Sequence, residues 1–261
     1  MSEITVTLPD GSALSVPAGS CGEGFGSQVG AGFGEDQGAG ELDGGMGDAA
    51  TTAFDGATAE AATEQSDEYR QVLRHTAAHV FAQALQRQYP EAKLAIGPPT
   101  DDGFYYDISG VDLGEDDLDA IEAEMEEIVA EDYDLRRVER DREEAFEIYD
   151  DNPFKRDILT DEAAGEDPVS FYVQDGWQDL CQGPHVSSTG EIGAVELLQI
   201  STAYWRGEES NETLTRVYGT AFESESDLEA FLQRREEAKE RDHRRIGSEM
   251  DLFSVPDHSP G

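Results

Sequence analysis

From Ser66 onward, apolar residues recur at spacings that only regular secondary structure can bury. Over residues 67–89, Tyr69, Leu73, Ala77, Val80 and Ala84 fall on one stripe at about 100° per residue, which predicts an amphipathic helix. Residues 115–132 repeat the pattern with Leu118, Ile121, Met125, Ile128 and Val129 inward. Alternation at Leu135/Val138, Val169/Phe171/Val173, Val195–Ile200 and Leu214–Phe222 predicts strands. Residues 142–150 and 152–159 read as short helices. Ser226-Asp-Leu-Glu229 is a capping box opening a charged C-terminal helix. The layout is α+β, helices packed on a mostly antiparallel sheet.

Residues 1–65 read differently. Glu3–Asp10 and Ala13–Val16 alternate around Asp10-Gly11, a hairpin signal. Between Gly19 and Gly56 lie 13 glycines with scattered acids and few large apolar groups. Such a stretch does not offset its ordering entropy and is expected to be flexible.

Charge is the other constraint. The chain has 59 Asp+Glu against 18 Lys+Arg, a net −41. Its only lysines are Lys93, Lys155 and Lys239, and no positive side chain precedes Arg70. Taken alone, this argues against nucleic acid, whose phosphates are bound by Lys and Arg. It equally describes a protein built for molar salt, where the Debye length is about 3 Å and carboxylates keep a surface soluble. No apolar run is long enough to span a membrane, and the first residues lack a secretory pattern. Two cysteines, Cys21 and Cys181, make no disulfide framework, which fits a cytoplasmic location.

Chemistry concentrates in two places. His75 and His79 are an i, i+4 pair on the first helix, about 120–160° from the centre of its apolar stripe, so both imidazoles should look into a cleft. Asp179-Leu-Cys181-Gln-Gly-Pro-His185 sets a second i, i+4 pair across a turn. Three histidines and a cysteine suit a tetrahedral zinc site; they equally suit positioning a water and protonating a leaving group.

These motifs carry a resemblance. His75-Thr-Ala-Ala-His79, Ala95-Ile-Gly-Pro98, Gly103-Phe-Tyr-Tyr-Asp107, Asp179–His185, Ala203-Tyr-Trp-Arg-Gly207, Arg216–Ala221 and Arg241–Gly247 together resemble the N-terminal editing region of threonyl-tRNA synthetases, and less fully the editing domains of alanyl-tRNA synthetases. The low lysine content points to a halophilic source. The resemblance implies residues 1–20 as a remnant of a β-grasp domain and 21–65 as a glycine-rich acidic flexible segment. Residues 66–223 then form the editing domain, and 224–261 a linker helix toward a class II catalytic domain. We read the glycine-rich stretch as a frameshifted or eroded segment. With the catalytic and anticodon-binding domains absent, aminoacylation by this chain alone is not expected.

The resemblance also implies a reaction. Threonine and serine differ by one methyl group, worth only about 1–3 kcal/mol of discrimination, so a second site hydrolyses serine wrongly esterified to tRNA(Thr). The catalytic residues implied are His75, His79, Lys155, Asp179, Cys181 and His185. Lys155 would stabilise the oxyanion or hold the water, and Asp179 would bind the amino group or hydroxyl of the substrate. Gly97, Pro98 and Tyr106 would hold the terminal adenosine. The partner is the tRNA(Thr) 3′ end, with a separate catalytic chain as a further partner. No cofactor is implied for editing; His75, His79, Cys181 and His185 permit zinc. Gln182 stands where the family usually carries Arg. The alternative is a ligase fragment that binds tRNA or a partner subunit without chemistry of its own.

Overall fold

The computed structural model describes residues 3–7, 13–17, 39–42, 45–48, 59–61, 66–161 and 163–241. The strands are β1 (Glu3–Thr7), β2 (Ala13–Pro17), β3 (Ala39–Leu42), β4 (Gly45–Asp48), β5 (Ala59–Ala61), β6 (Lys93–Leu94), β7 (Pro99–Thr100), β8 (Gly103–Ser109), β9 (Arg136–Arg140), β10 (Val169–Gln174), β11 (Trp177–Leu180), β12 (Ala194–Tyr204) and β13 (Thr213–Phe222). The helices are α1 (Asp67–Gln88), α2 (Glu115–Ala130), α3 (Arg142–Ile148), α4 (Pro153–Asp161) and α5 (Glu225–Glu240). Among the described residues every strand pairing is antiparallel, so the α+β class holds.

The main sheet runs β12-β13-β8-β6, with β7 paired to β8. A bidentate pair clamps its register: Arg216 donates to both Asp107 oxygens at 2.6 and 2.8 Å, and Asp107 and Arg216 are direct cross-strand partners. β12 carries a bulge between Leu197 and Gln199, and Glu122 accepts from the Leu197 N–H at 2.7 Å. The acids of α2 are therefore not all outward: Glu126 and Glu127 are exposed, whereas Glu122 and Glu124 are half-buried.

Helix α1 departs from the amphipathic expectation. Its buried residues run from Tyr69 through Val72, Leu73, Thr76 to Leu85, round the whole circumference of its central turns. Small residues at Ala77, Ala78, Ala82 and Ala84 let neighbours close in, so the helix is a core element even though Arg74, Thr76, His79 and Gln83 are among its buried residues. Its N-terminus is capped by Ser66, whose hydroxyl accepts from Tyr69 N–H at 3.1 Å. α1, α2 and the main sheet share one core, centred on Phe81, Phe104, Ile108, Ile121 and Met125.

A second core lies beside the first. The three-stranded sheet β11-β10-β9 packs against α3 and α4 through Ala145, Tyr149, Leu159, Val169 and Phe171. Hairpin strand β11 was not anticipated; its apolar content is too thin for the alternation rule.

Two expectations at the ends need correcting. β3, β4 and β5 form a small sheet inside the stretch expected to be flexible, because ladder hydrogen bonds come from backbone groups that glycine also carries. The rest of 21–65 lies outside the described residues, as do residues 242–261 of the C-terminal segment. β1 and β2 form the anticipated hairpin, with Ile4 opposite Val16. The cap of α5 is Ser224, accepting from Asp227 N–H at 3.3 Å, rather than Ser226; two overlapping Ser-x-x-acid signatures occur and the earlier one is used.

Candidate active site

The seam between the two cores holds the two predicted clusters. Helix α1 delivers His75 and His79 from one side. From the other, the turn after β11 delivers Cys181 and His185. The four ligand-type atoms of these residues all lie within 4.8 Å of one another. His79 and His185 are buried, at 3% and 1% exposure; His75 and Cys181 are half-buried and lead outward. The site is more enclosed than the open cleft expected for the histidines.

Hydrogen bonds fix which nitrogen of His75 and of His185 carries the proton. His75 Nδ1 lies 3.0 Å from the Pro184 carbonyl, which only accepts, so Nδ1 is the donor and Nε2 keeps its lone pair. Thr76 donates its hydroxyl to Val72 O at 3.0 Å and accepts from Val186 N–H at 3.2 Å. Its remaining lone pair takes His185 Nδ1–H at 3.2 Å. The Nε2 lone pairs of both rings therefore converge on Cys181 Sγ, at 3.4 Å from His75 and 3.3 Å from His185. One thiol proton cannot satisfy both.

Burial pushes all three histidines below the ordinary imidazole range. For His185 the neighbouring His79 and His75 add to that push, and His79 falls to about 3 with His75 as the second cause. The cluster is thus neutral and basic-lone-pair-rich at neutral pH. Tyr172 of β10 packs its ring 4.4 Å from His185, and Trp177 of β11 meets His79 edge-on at 5.6 Å. Gly183, at φ +79°, lies where a Cβ would overlap the Tyr172 hydroxyl, so glycine is required twice over.

Next to the cluster sits a buried ion pair. Lys155 and Asp179 are 3% and 2% exposed and 2.7 Å apart. Asn152 sets Lys155 in place: its side-chain oxygen accepts from Phe154 and Lys155 N–H at 3.1 and 3.2 Å, capping α4, while its amide donates to Leu94 O. Asp179 also accepts from Tyr106 hydroxyl at 2.8 Å, Tyr149 hydroxyl at 2.8 Å and Leu180 N–H at 2.9 Å. Burial pushes the Asp179 carboxyl up, but Lys155 and the hydrogen bonds outweigh it and hold it below the usual range.

This filled carboxylate alters two sequence expectations. Asp179 has its acceptor positions occupied by the protein's own donors, so it is placed to hold Lys155 rather than to take a substrate amine. Tyr106 is 1% exposed with its hydroxyl on Asp179, and so offers no face to an adenine. Gly97 lies against it, where a Cβ would overlap the Tyr106 ring. Gly97 and Pro98 themselves are half-buried on the loop leading into β7. Gln182 is engaged with Glu166 at 2.9 Å.

Sequence reasoning missed Thr76, Tyr149, Tyr172 and Trp177. Thr76 had a readable signal, a hydroxyl in the turn between two paired histidines. Tyr149 and Tyr172 reach the site from strands and helices distant in sequence and left none.

The donor set fits zinc. Bonds of about 2.05 Å to nitrogen and 2.3 Å to sulfur in a tetrahedron put N···S edges at about 3.5 Å, close to the separations above. His79 Nδ1 is buried without a hydrogen-bond partner, an orphan of the kind that needs an external one.

Residues 169–218 match the family described as the threonyl and alanyl tRNA synthetase second additional domain. Over those residues the chain is thus similar to an accessory domain of tRNA synthetases, and the matched segment includes Cys181 and His185. It is 70% identical over 257 residues to the threonine–tRNA ligase of Natronomonas pharaonis, and 65% identical over 257 residues to that of Haloquadratum walsbyi. Each match covers 98% of this chain and 40% of the relative. The ligase of Clostridium tetani is 41% identical over 261 residues, 99% of this chain and 41% of its own. The chain thus spans about two-fifths of the length of the curated relatives it matches. These alignments run through residues 21–65, which counts against the frameshift expected there.

Proposed function

We propose that residues 66–222 hydrolyse serine esterified to tRNA(Thr), within a cytoplasmic threonine–tRNA ligase. The observation that carries this reading is the convergence of two neutral imidazole lone pairs beside a buried ammonium, in a chain related to ligases that must separate two amino acids one methyl apart.

In the proposed reaction, a water held at the cluster attacks the ester carbonyl carbon. His75, the half-buried imidazole with its Nε2 lone pair turned inward, takes the water proton. The carbonyl π electrons move onto oxygen, and the Lys155 ammonium stabilises that oxyanion. When the tetrahedral intermediate collapses, the bond from carbonyl carbon to ribose oxygen breaks, and the imidazolium returns a proton to the leaving oxygen. His185, tied through Thr76, and Tyr172 fix the far wall; Asp179 acts by orienting Lys155. Held by His75, His79, Cys181 and His185, zinc would supply Lewis-acid polarisation of the ester or of water. The 3′ end of tRNA(Thr) is the proposed partner, with the ligase's catalytic portion as the second.

Deacylation of seryl-tRNA(Thr) in molar KCl, wild type against His75→Ala, tests the assignment. A fall of about 100-fold or more is expected for loss of the general base; equal rates would refute it.

A further inference from the structure

A site that accepts the end of a nucleic acid in a chain of net −41 needs a cation for the phosphate next to the reacting nucleotide. The cations at the seam do not supply it. Lys155 is buried, paired with Asp179 and assigned to the oxyanion of the ester, so it does not serve a phosphate beyond the ribose.

The register of the smaller sheet points to another. Tyr172 of β10 is the direct cross-strand partner of Asp179 on one side and of Arg137 on the other. Directly paired residues in antiparallel strands share a face. Arg137 therefore projects from the same face as Asp179 and as the Tyr172 ring that packs on His185. Two strand spacings put it about 10 Å from Asp179 along that row. Among the described residues of this sheet, that face otherwise carries Glu139, Ser170, Gln174, Trp177 and the pair Tyr172 and Asp179, so Arg137 is its sole cation.

Arg137 is also available. It stands on edge strand β9 with 38% of its side chain exposed, and its ion pair is with exposed Glu139 at 3.0 Å. An exposed pair of this kind contributes little and exchanges readily for a better anion. A guanidinium matches a phosphate in a planar, two-point contact that survives salt screening better than a distant charge does.

We propose that Arg137 is the phosphate anchor of this site, receiving the 5′-phosphate of the nucleotide whose ribose carries the ester. Only the ribose separates that phosphate from the scissile bond, so ester at the cluster and phosphate at Arg137 lie along one row of the sheet. The proposal rests on the hydrolase reading above.

Two minimal esters test it with the whole chain in molar KCl: 3′-O-seryl-adenosine and its 5′-monophosphate. The wild type is expected to hydrolyse the phosphorylated ester with a KM about fivefold or more below that of the nucleoside ester. Arg137→Gln should erase that difference by raising KM for the phosphorylated ester alone, with kcat unchanged. Arg136→Gln, whose side chain projects from the opposite face, should retain it. A KM advantage that persists in Arg137→Gln, or its absence in the wild type, overturns the proposal while leaving the hydrolase intact. Such a result would mark Arg137 as an edge-strand charge that blocks strand pairing. Hydrolysis of neither ester overturns both readings together.

Discussion

The Lys155 ammonium meets the Asp179 carboxylate at 2.7 Å with both side chains almost wholly withdrawn from water. Such a pair gains little net stability over a well-packed apolar substitute, but removing one partner strands a buried charge. Lys155→Met or Asp179→Leu should each cost about 3–5 kcal/mol, and the double variant clearly less than their sum. Urea unfolding of the four proteins in molar KCl measures this; additive losses would mean the two charges are not coupled.

Tyr149 reaches Asp179 from the end of α3 and also accepts Leu180 N–H at 2.7 Å. Tyr149→Phe deletes one donor to the carboxylate while the ring keeps its stack on Phe171. The expected loss is about 1–2 kcal/mol of stability. Because Asp179 then holds Lys155 less firmly, kcat for deacylation should fall with KM unchanged. A rise in KM instead would place Tyr149 against the substrate.

The buried histidines make stability depend on pH. His79 has a folded pKa of about 3, and burial lowers His75 and His185 as well. Below about pH 6.5 the unfolded chain binds protons that the folded one refuses, so stability rises with pH across this range and falls on acidification. Each such histidine costs about 1.4 kcal/mol per pH unit below 6.5, until the folded ring takes its own proton, near 3 for His79. Melting temperatures between pH 7 and 5 should therefore drop, and His79→Gln should flatten the slope. An unchanged slope would mean His79 is protonated in the folded state.

Gly97 has no room for a methyl group against Tyr106. Gly97→Ala must displace the ring and with it the hydroxyl held on Asp179, at a cost of about 1–3 kcal/mol. Calorimetry of Gly97→Ala beside Tyr106→Phe checks this. A fully stable Gly97→Ala would show that the loop yields without moving the ring.

The zinc-compatible cluster makes a separable prediction. Zinc added to the protein should bind with release of the Cys181 thiol proton, and His185→Ala should abolish that uptake. Deacylation driven by His75 and Lys155 should survive chelator. Activity lost to chelator and restored by zinc would transfer the proton chemistry from His75 to a metal-bound water.

Much of this was legible in the sequence because local rules carry it. The helices around Leu73 and Ile121 followed from spacing, and the strand at Val217 from alternation. The pairs His75/His79 and Cys181/His185 came from their i, i+4 spacing, and the motif series led to the ligase relatives. Three things were not legible. Helix α1 is buried all round, which depends on what packs against Val72 and Ala78 rather than on its own pattern. Strand β11 is short and polar, so Asp179 looked like part of a loop free to greet substrate. The filling of its carboxylate by Tyr106, Tyr149 and Lys155 joins segments from three places in the chain, and no spacing rule connects them.

The site is anchored in both cores: His75 and His79 ride on α1, while the neighbouring pair Asp179 and Lys155 belongs to the unit of β9–β11, α3 and α4. The seam is stitched as well as packed: Trp177 of β11 lies against the first core, and Gln174 and Trp177 donate to Gln83 and Gln86 of α1 at 2.7 and 2.8 Å. The arrangement around Cys181 therefore depends on the two units staying docked, so a substitution that loosens either core disturbs the site without touching one of its residues.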